Sequence, residues 1–349
     1  MAAPAVPPGI PAGSPVPPAQ PRPSAKKSSC LLRGCLALVV LGILAACIFG
    51  GTSIYLDRAN YQKAHAFYQQ ANCAEAVPIY TQIIAGLGLT GEADLARAER
   101  SECNLFDAAG AAAAAGQFDN ALNGYLKFVQ TYPSSPLTQP ARAQMAEILA
   151  AAPESLATDW VCTNFDELAA TAGLAAEDPA RPHLLLGCGQ GYALAGDFLR
   201  AALFYERFLK TYPDHPSTAE VEKAYADALI NDARSRGAGE ITAPQKREGT
   251  SGVSTTVIIQ NDSPNRLRIV FRGADTRIEE IEPCADCEKF TGSGPEFCPE
   301  KGPIGRFELV SGTYDVMVES SDGANVSPFT GVWPLEGGEY YTCFFIVTE

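Results

Sequence analysis

The chain has 349 residues, 46% of them hydrophobic, and a net charge of −14. That length supports two folded parts with their own cores, and that composition excludes a wholly disordered chain. The charge is uneven: residues 1–33 carry Arg22, Lys26, Lys27 and Arg33 and no acid, leaving −18 on the remainder. So acidic a body disfavours nucleic acid, because phosphate binding needs a basic face, and no nucleic-acid partner is expected; it also disfavours broad docking on anionic lipid.

Residues 1–25 hold nine prolines among Ala, Gly and Ser. Proline fixes φ and removes a donor, so 1–34 is expected to be a disordered, Pro-rich cytoplasmic tail. From Cys35 to Leu56 run 22 residues without a charge. That run exceeds the ~20 residues a helix needs to cross a bilayer, so 35–56 is expected to be a single transmembrane helix, a signal anchor. Positive charge upstream puts the N-terminus in the cytoplasm and residues 57–349 outside. Leu44-Ala45-Ala46-Cys47 resembles the lipobox of bacterial lipoproteins and implies the alternative of lipid anchoring at Cys47.

Residues 57–235 read as helices: alanine is dense, apolar positions recur at three and four, and turns fall at Gly and Pro. Part of this region is written twice. Gly116, Phe118, Ala121, Tyr125, Phe128, Thr131, Tyr132, Pro133 and Pro136 recur 80 residues later as Gly196, Phe198, Ala201, Tyr205, Phe208, Thr211, Tyr212, Pro213 and Pro216. A degenerate earlier unit has Ala64, Phe67, Ala71, Ala76, Tyr80 and Ile83. With Gly189 and Tyr192 in the second copy, and Ala109 and Ala112 in the first, the pattern resembles the tetratricopeptide family. The stretch Phe208-Leu209-Lys210-Thr211-Tyr212-Pro213 resembles such arrays in bacterial envelope proteins. The likeness implies antiparallel helical hairpins that scaffold protein or peptide partners in the cell envelope. Small Ala121 or Ala201 lets the paired helices approach, and Tyr125 or Tyr205 fills the next groove. Pro133 and Pro213 close the second helices, and an intervening helix is expected near 137–150. Ser217 and Glu220 form a capping box for a last helix, 217–233, whose Glu220, Glu222, Lys223 and Asp227 would close the array against solvent.

Cys73 and Cys103 in one unit, and Cys162 and Cys188 in the next, stand in matching places. We expect disulfides Cys73–Cys103 and Cys162–Cys188, since thiols oxidise outside the cytoplasm and the eight cysteines after residue 57 are an even number.

Residues 236–251 lose apolar periodicity and read as a linker. From 252 to 349 the period becomes two: Thr255–Ile259, Leu267–Phe271, Arg306–Leu309, Tyr314–Val318 and Tyr341–Phe345 read as short strands between Gly, Pro, Asn and Asp turns. A small disulfide-bonded antiparallel β-sandwich follows. Val310–Val318 is similar to hairpins of carbohydrate-binding-like or surface-layer domains. The fold class is thus α+β multidomain. Cys284, Cys287, Cys298 and Cys343 lie in this module. Cys-x-x-Cys raises zinc or redox chemistry, but no second close pair, no histidine beyond His215 and no thioredoxin-like βαβ unit accompany it. Structural disulfides are expected, with pairing open among three connectivities.

No reaction chemistry is legible. His65, His183 and His215 stand at no metal or triad spacing. Gly187-Cys-Gly-Gln-Gly191 lies within a helical repeat rather than after a strand, so it is read as helix packing and not a phosphate loop. Glu279, Glu280 and Glu282 read as a solvated strand edge. No catalytic residue, cofactor or metal is expected. The reading is a non-enzymatic, membrane-anchored extracytoplasmic scaffold, with Tyr125, Tyr192 and Tyr205 as candidate partner-binding positions. The second reading is a cell-wall or glycan-binding protein that stacks sugars on Trp333, Tyr340 and Tyr341.

Overall fold

The structure, a computed structural model, describes residues 40–42, 44, 54–86, 91–151, 156–249, 254–321 and 326–348. The expected 1–34 tail and Cys47 lie outside them. Among the described residues no helix is long and apolar enough to cross a membrane. This overturns the single-pass span, the signal anchor and the partner assignment of a membrane through an N-terminal helix. Of 35–56, only 40–42, 44 and 54–56 are described. Residues 54–56 open helix α1 (54–69), which goes on through Asp57, Arg58, Asn60, Gln62 and Lys63. Those side chains give α1 the character of a water-facing repeat helix.

Residues 61–349 form one compact unit. It contains α2 (Cys73–Ala85), α3 (Gly91–Ala114), α4 (Phe118–Thr131), α5 (Thr138–Ala151), α6 (Asp159–Thr163), α7 (Phe165–Ala172), α8 (Ala180–Leu194), α9 (Phe198–Thr211) and α10 (Thr218–Ser235). Neighbours pack in series, α2 on α3, α3 on α4, α8 on α9 and α9 on α10. The two copies fold alike. Gly116 (φ 72°) and Gly196 (φ 78°) close the α3–α4 and α8–α9 turns. In each turn the next N–H reaches back, Gln117 to the Ala112 carbonyl and Asp197 to that of Tyr192, both at 2.9 Å. Ala121, Tyr125 and Phe128 are buried, as are Ala201, Tyr205 and Phe208. The geometry is that of a tetratricopeptide-like helical repeat.

Disulfides Cys73–Cys103 and Cys162–Cys188 each join a helix to the one it packs beside. Loops of 30 and 26 residues correspond to about 3–4 kcal/mol each in the chain-entropy account. The first unit is further held by Glu99 on α3, whose carboxylate accepts bonds from the Tyr61 and Tyr80 hydroxyls and faces His65 Nδ1 at 3.0 Å. Beside it the Tyr68 hydroxyl donates to Glu102 at 2.5 Å.

The strands are β1 (Gly239–Glu240), β2 (Gln245–Lys246), β3 (Thr255–Asn261), β4 (Leu267–Arg272), β5 (Thr276–Ile281), β6 (Phe290–Thr291), β7 (Ile304–Leu309), β8 (Gly312–Ser320), β9 (Phe329–Leu335), β10 (Gly338–Phe344) and β11 (Val347–Thr348). The 236–251 stretch, expected to be a linker, supplies β1 and β2. One sheet runs β1-β9-β8-β4-β5 and a second β2-β10-β3-β7. Both are mixed: β1 lies parallel to β9, and β10 parallel to β3. This corrects the antiparallel expectation. Two sheets do share one core, in which Val257, Ile259 and Phe307 of the four-stranded sheet meet Ile269, Phe271, Tyr314 and Trp333 of the five-stranded one. Disulfide Cys298–Cys343 ties the Gly/Pro-rich loop to β10, and Cys284–Cys287 closes a turn after β5. Asp262, buried, accepts from the backbone N–H groups of Lys301 and Gly302, both at 2.8 Å, and so fixes the same loop.

The last helix, whose Glu220, Glu222, Lys223 and Asp227 were expected to cap the array against solvent, instead packs one face on the β module. Ala226, Ile230 and Ala233 of α10 pack on Val270 and Met317, which occupy the outer face of the five-stranded sheet. Ion pairs rim this seam: Arg272–Asp227, Arg234–Asp315 and Arg236–Glu319. The sheet therefore takes the place of a solvent-facing cap. The expected capping box is also absent. Ser217 is the N-cap without a side-chain bond, and its own N–H goes to His215 Nδ1 at 3.2 Å.

Candidate functional site

The seam between α10 and the sheet leaves an open cleft where α9, α10, β4 and β5 converge. It has three neighbouring hollows that share lining residues. Leu199, Ala202, Leu203 and Leu229 line one of about 240 Å³, with Glu206, Arg236, Arg268 and Glu319 around them. Glu206, Leu209, Lys210, Arg268, Ile278 and Glu280 line the middle one, about 310 Å³. Leu209, Glu222, Arg277, Ile278 and Glu279 line the last, about 360 Å³. Tyr225 is common to all three.

Local sequence explains the shape. On α9, Leu199, Leu203, Glu206 and Lys210 follow the three-and-four spacing of one helix face. Ala201 and Tyr205 point the opposite way, into the core. On β5 the strand edge offers Arg277 and Glu279. Arg268 on β4 spans Glu280 at 3.3 Å and Glu319 at 3.4 Å. Burial, and then the charge of Glu206, pushes the Tyr225 phenol up to about 12, so it stays neutral across the physiological range. A half-apolar, half-charged concavity beside a buried tyrosine matches what a protein or peptide segment needs: apolar area for affinity and a few polar groups for orientation.

The positions expected to bind a partner lie elsewhere. Tyr125, Tyr192 and Tyr205 are buried in the helical core. Tyr205 covers Gly189, where an added Cβ would come within 2.4 Å of the ring. Tyr192 meets the cation of Arg200, whose guanidinium carbon stands 4.3 Å from the ring centre and whose nitrogen bonds Asp159 at 2.5 Å. Trp333 is fully buried between the sheets, and Tyr340 is buried too. Tyr341 is half-buried, with its hydroxyl on Gln260 at 2.6 Å and Arg247 over its ring. No stacking platform for sugars forms, so the glycan reading loses its basis. All eight cysteines from Cys73 to Cys343 sit in disulfides. Among the described residues no group of His, Cys, Asp and Glu could hold a metal ion.

Residue-by-residue reading missed the cleft. Its walls come from two regions that looked separate, and Arg268, Ile278 and Tyr225 read as ordinary strand and helix residues. The available signal was the pair Leu199 and Leu203, which stand on the polar side of an amphipathic helix.

No protein-family model matches the chain, and no curated protein matches it. Similar solved structures include a Podosopora anserina putative kinesin light chain, described as having nearly identical TPR-like repeats, and a variant of it. Each is 17% identical and covers 51% of this chain, and 88% or 87% of its own, at a TM-score of 0.23. The repeat character of the present chain rests on its own duplicated geometry.

Proposed function

We propose that the chain is a non-catalytic scaffold that holds a protein or peptide partner in an oxidising compartment outside the cytoplasm. The array of 57–235 and the β module of 252–349 act together, and the partner seats in the cleft between them. The observation that carries this reading is the cleft itself. Leu199 and Leu203 are exposed by 58% and 55% in a hollow whose other wall is fixed by the seam. Apolar side chains grouped in a concavity mark interaction sites. Four disulfides support the compartment, because they persist where thiols are oxidised.

Site-specific photocrosslinking tests the reading. A crosslinker at position 203 should capture one defined protein from the source cell, and a crosslinker at the exposed Glu177, which lines none of the three hollows, should not. The Leu199→Asp/Leu203→Asn variant should lose that partner while keeping its melting temperature. Equal capture at both positions, or none at 203, sinks the reading.

A further inference from the structure

The duplication lets the cleft be compared with an internal control. Counting 80 residues back, Leu194, Leu199 and Leu203 correspond to Ala114, Asp119 and Asn123. Leu194, which lines none of the hollows, and Leu199 and Leu203 of the cleft are exposed, as are Ala114 and Asn123 in the first copy, whereas Asp119 is half-buried and accepts a bond from the Thr158 hydroxyl at 3.0 Å. The first copy fills them with a small residue and two polar ones, Asn123 in solvent and Asp119 on Thr158. The second places leucines there, exposed by 91%, 58% and 55%. Packing does not demand them, since Ala201, Tyr205 and Phe208 supply the buried face in the same way as their counterparts. Leucine on an outward face loses hydration without return unless something covers it.

The far end of the cleft differs in charge. Most charges along the cleft are matched: Glu206 bonds Lys210 at 2.8 Å, Arg268 is shared by Glu280 and Glu319, and Arg277 bonds Asp275 at 2.9 Å. Glu222 and Glu279 line the last hollow, and no cation of the described residues bonds either one. One end is therefore apolar, the other carries two uncompensated carboxylates, and the body as a whole is acidic. Building on the scaffold reading above, we infer that the cleft takes a basic amphipathic segment. Its apolar side chains, spaced one helical turn apart, seat on Leu199, Leu203 and Leu229. A Lys or Arg further along reaches Glu222 and Glu279. An acidic segment would meet like charge at that end, and like charge across an interface discriminates strongly.

Two helical peptides test this on the full chain. Both carry leucines at i, i+3, i+4 and i+7 in an alanine background, one with lysines on the remaining face and one with glutamates. The lysine peptide should bind, more weakly as salt rises, and the glutamate peptide should not. Glu222→Lys/Glu279→Lys should weaken the lysine peptide by about tenfold or more. The same charge change at Glu177→Lys/Glu296→Lys, residues that line none of the three hollows, should leave its affinity within about twofold. Leu199→Asp/Leu203→Asn, which installs the first copy's residues, should abolish binding with an unchanged circular dichroism spectrum. The inference is overturned if the glutamate peptide binds as well, or if both charge-reversal pairs act alike. It is also overturned if the leucine variant turns a dimer into a monomer, which makes a second copy the occupant. Capture of a partner at position 203 with no preference between peptides defeats this inference and leaves the scaffold reading standing. Absence of capture defeats the scaffold reading itself.

Discussion

Single residues decide how well each hairpin turn closes. In the earliest unit Ala71 takes the place of Gly116 and Gly196, and it holds φ 56°. Its turn keeps the same bonds, Ala71 N–H to the Tyr68 carbonyl at 3.0 Å and Asn72 N–H to that of Phe67 at 2.9 Å. A Cβ in the left-handed region crowds the following carbonyl, at a cost of about 1–2 kcal/mol. Ala71→Gly relieves that crowding and should raise stability by about 1 kcal/mol in urea titration. A lower midpoint for the variant would show that the turn bears no such cost. Gly189 makes the opposite case. The Tyr205 ring lies where its Cβ would be, at 2.4 Å, and Tyr205 is itself buried. Gly189→Ala should therefore cost about 1–3 kcal/mol through overpacking. In the first copy the matching Ala109 faces Gly124, whose own Cβ, if added, would stand 3.0 Å from the Ala109 methyl. An unchanged melting temperature in Gly189→Ala would mean the Tyr205 ring can move aside freely.

At the scale of elements, the seam of α10 against the five-stranded sheet joins the helical and β parts. Ile230 is buried there with Val270 and Met317. Removing its outer carbons in Ile230→Ala should cost about 2–4 kcal/mol, the usual range for a buried Ile. Because the seam couples the parts, the far-UV helical signal and the near-UV signal should shift together. Separate transitions, with only the β signal affected, would argue that the seam does not couple them. This seam also marks where reading the sequence stopped. The hairpins were legible because each repeats a local pattern of Ala, Tyr, Phe and Pro at helical spacing, and the strands β3, β4, β8 and β10 because alternation is local as well. The parallel pairing of β10 with β3 was not legible, since it joins strands far apart in the chain and leaves no mark on either one's alternation. The closing helix was read as a solvated cap because Glu220, Glu222, Lys223 and Asp227 look like surface charges. The partner of Asp227, Arg272, lies on a strand whose position only the folded chain reveals, and so does Asp315, the partner of Arg234. The cleft shares that cause: half of each wall belongs to the other part.

For the molecule as a whole, the distribution of tyrosines sets a limit on alkaline stability. Burial, and after it the bonds to Glu99 and Glu102, holds the phenols of Tyr61, Tyr68 and Tyr80 well above their ordinary value. Burial pushes Tyr205 and Tyr225 up to about 12. An unfolded tyrosine loses its proton near pH 10, while these folded ones keep theirs. Above that pH the native state binds more protons than the unfolded state, so stability must fall as pH rises. The contribution is fully present below pH ~10 and is lost as pH climbs through the folded values. With five groups acting together, the melting temperature should drop by about 10 °C per pH unit between pH ~10 and ~12. Phenolate absorbance gives an independent readout. These five should ionise only together with loss of the helical signal. Tyr80→Phe removes one proton from the balance and should flatten the pH dependence by about one group's worth. If all the tyrosines ionise in one step while the helical signal persists, then Glu99 with Tyr61 and Tyr80, and Glu102 with Tyr68, are open to water, and the first hairpin is looser than its hydrogen bonds imply.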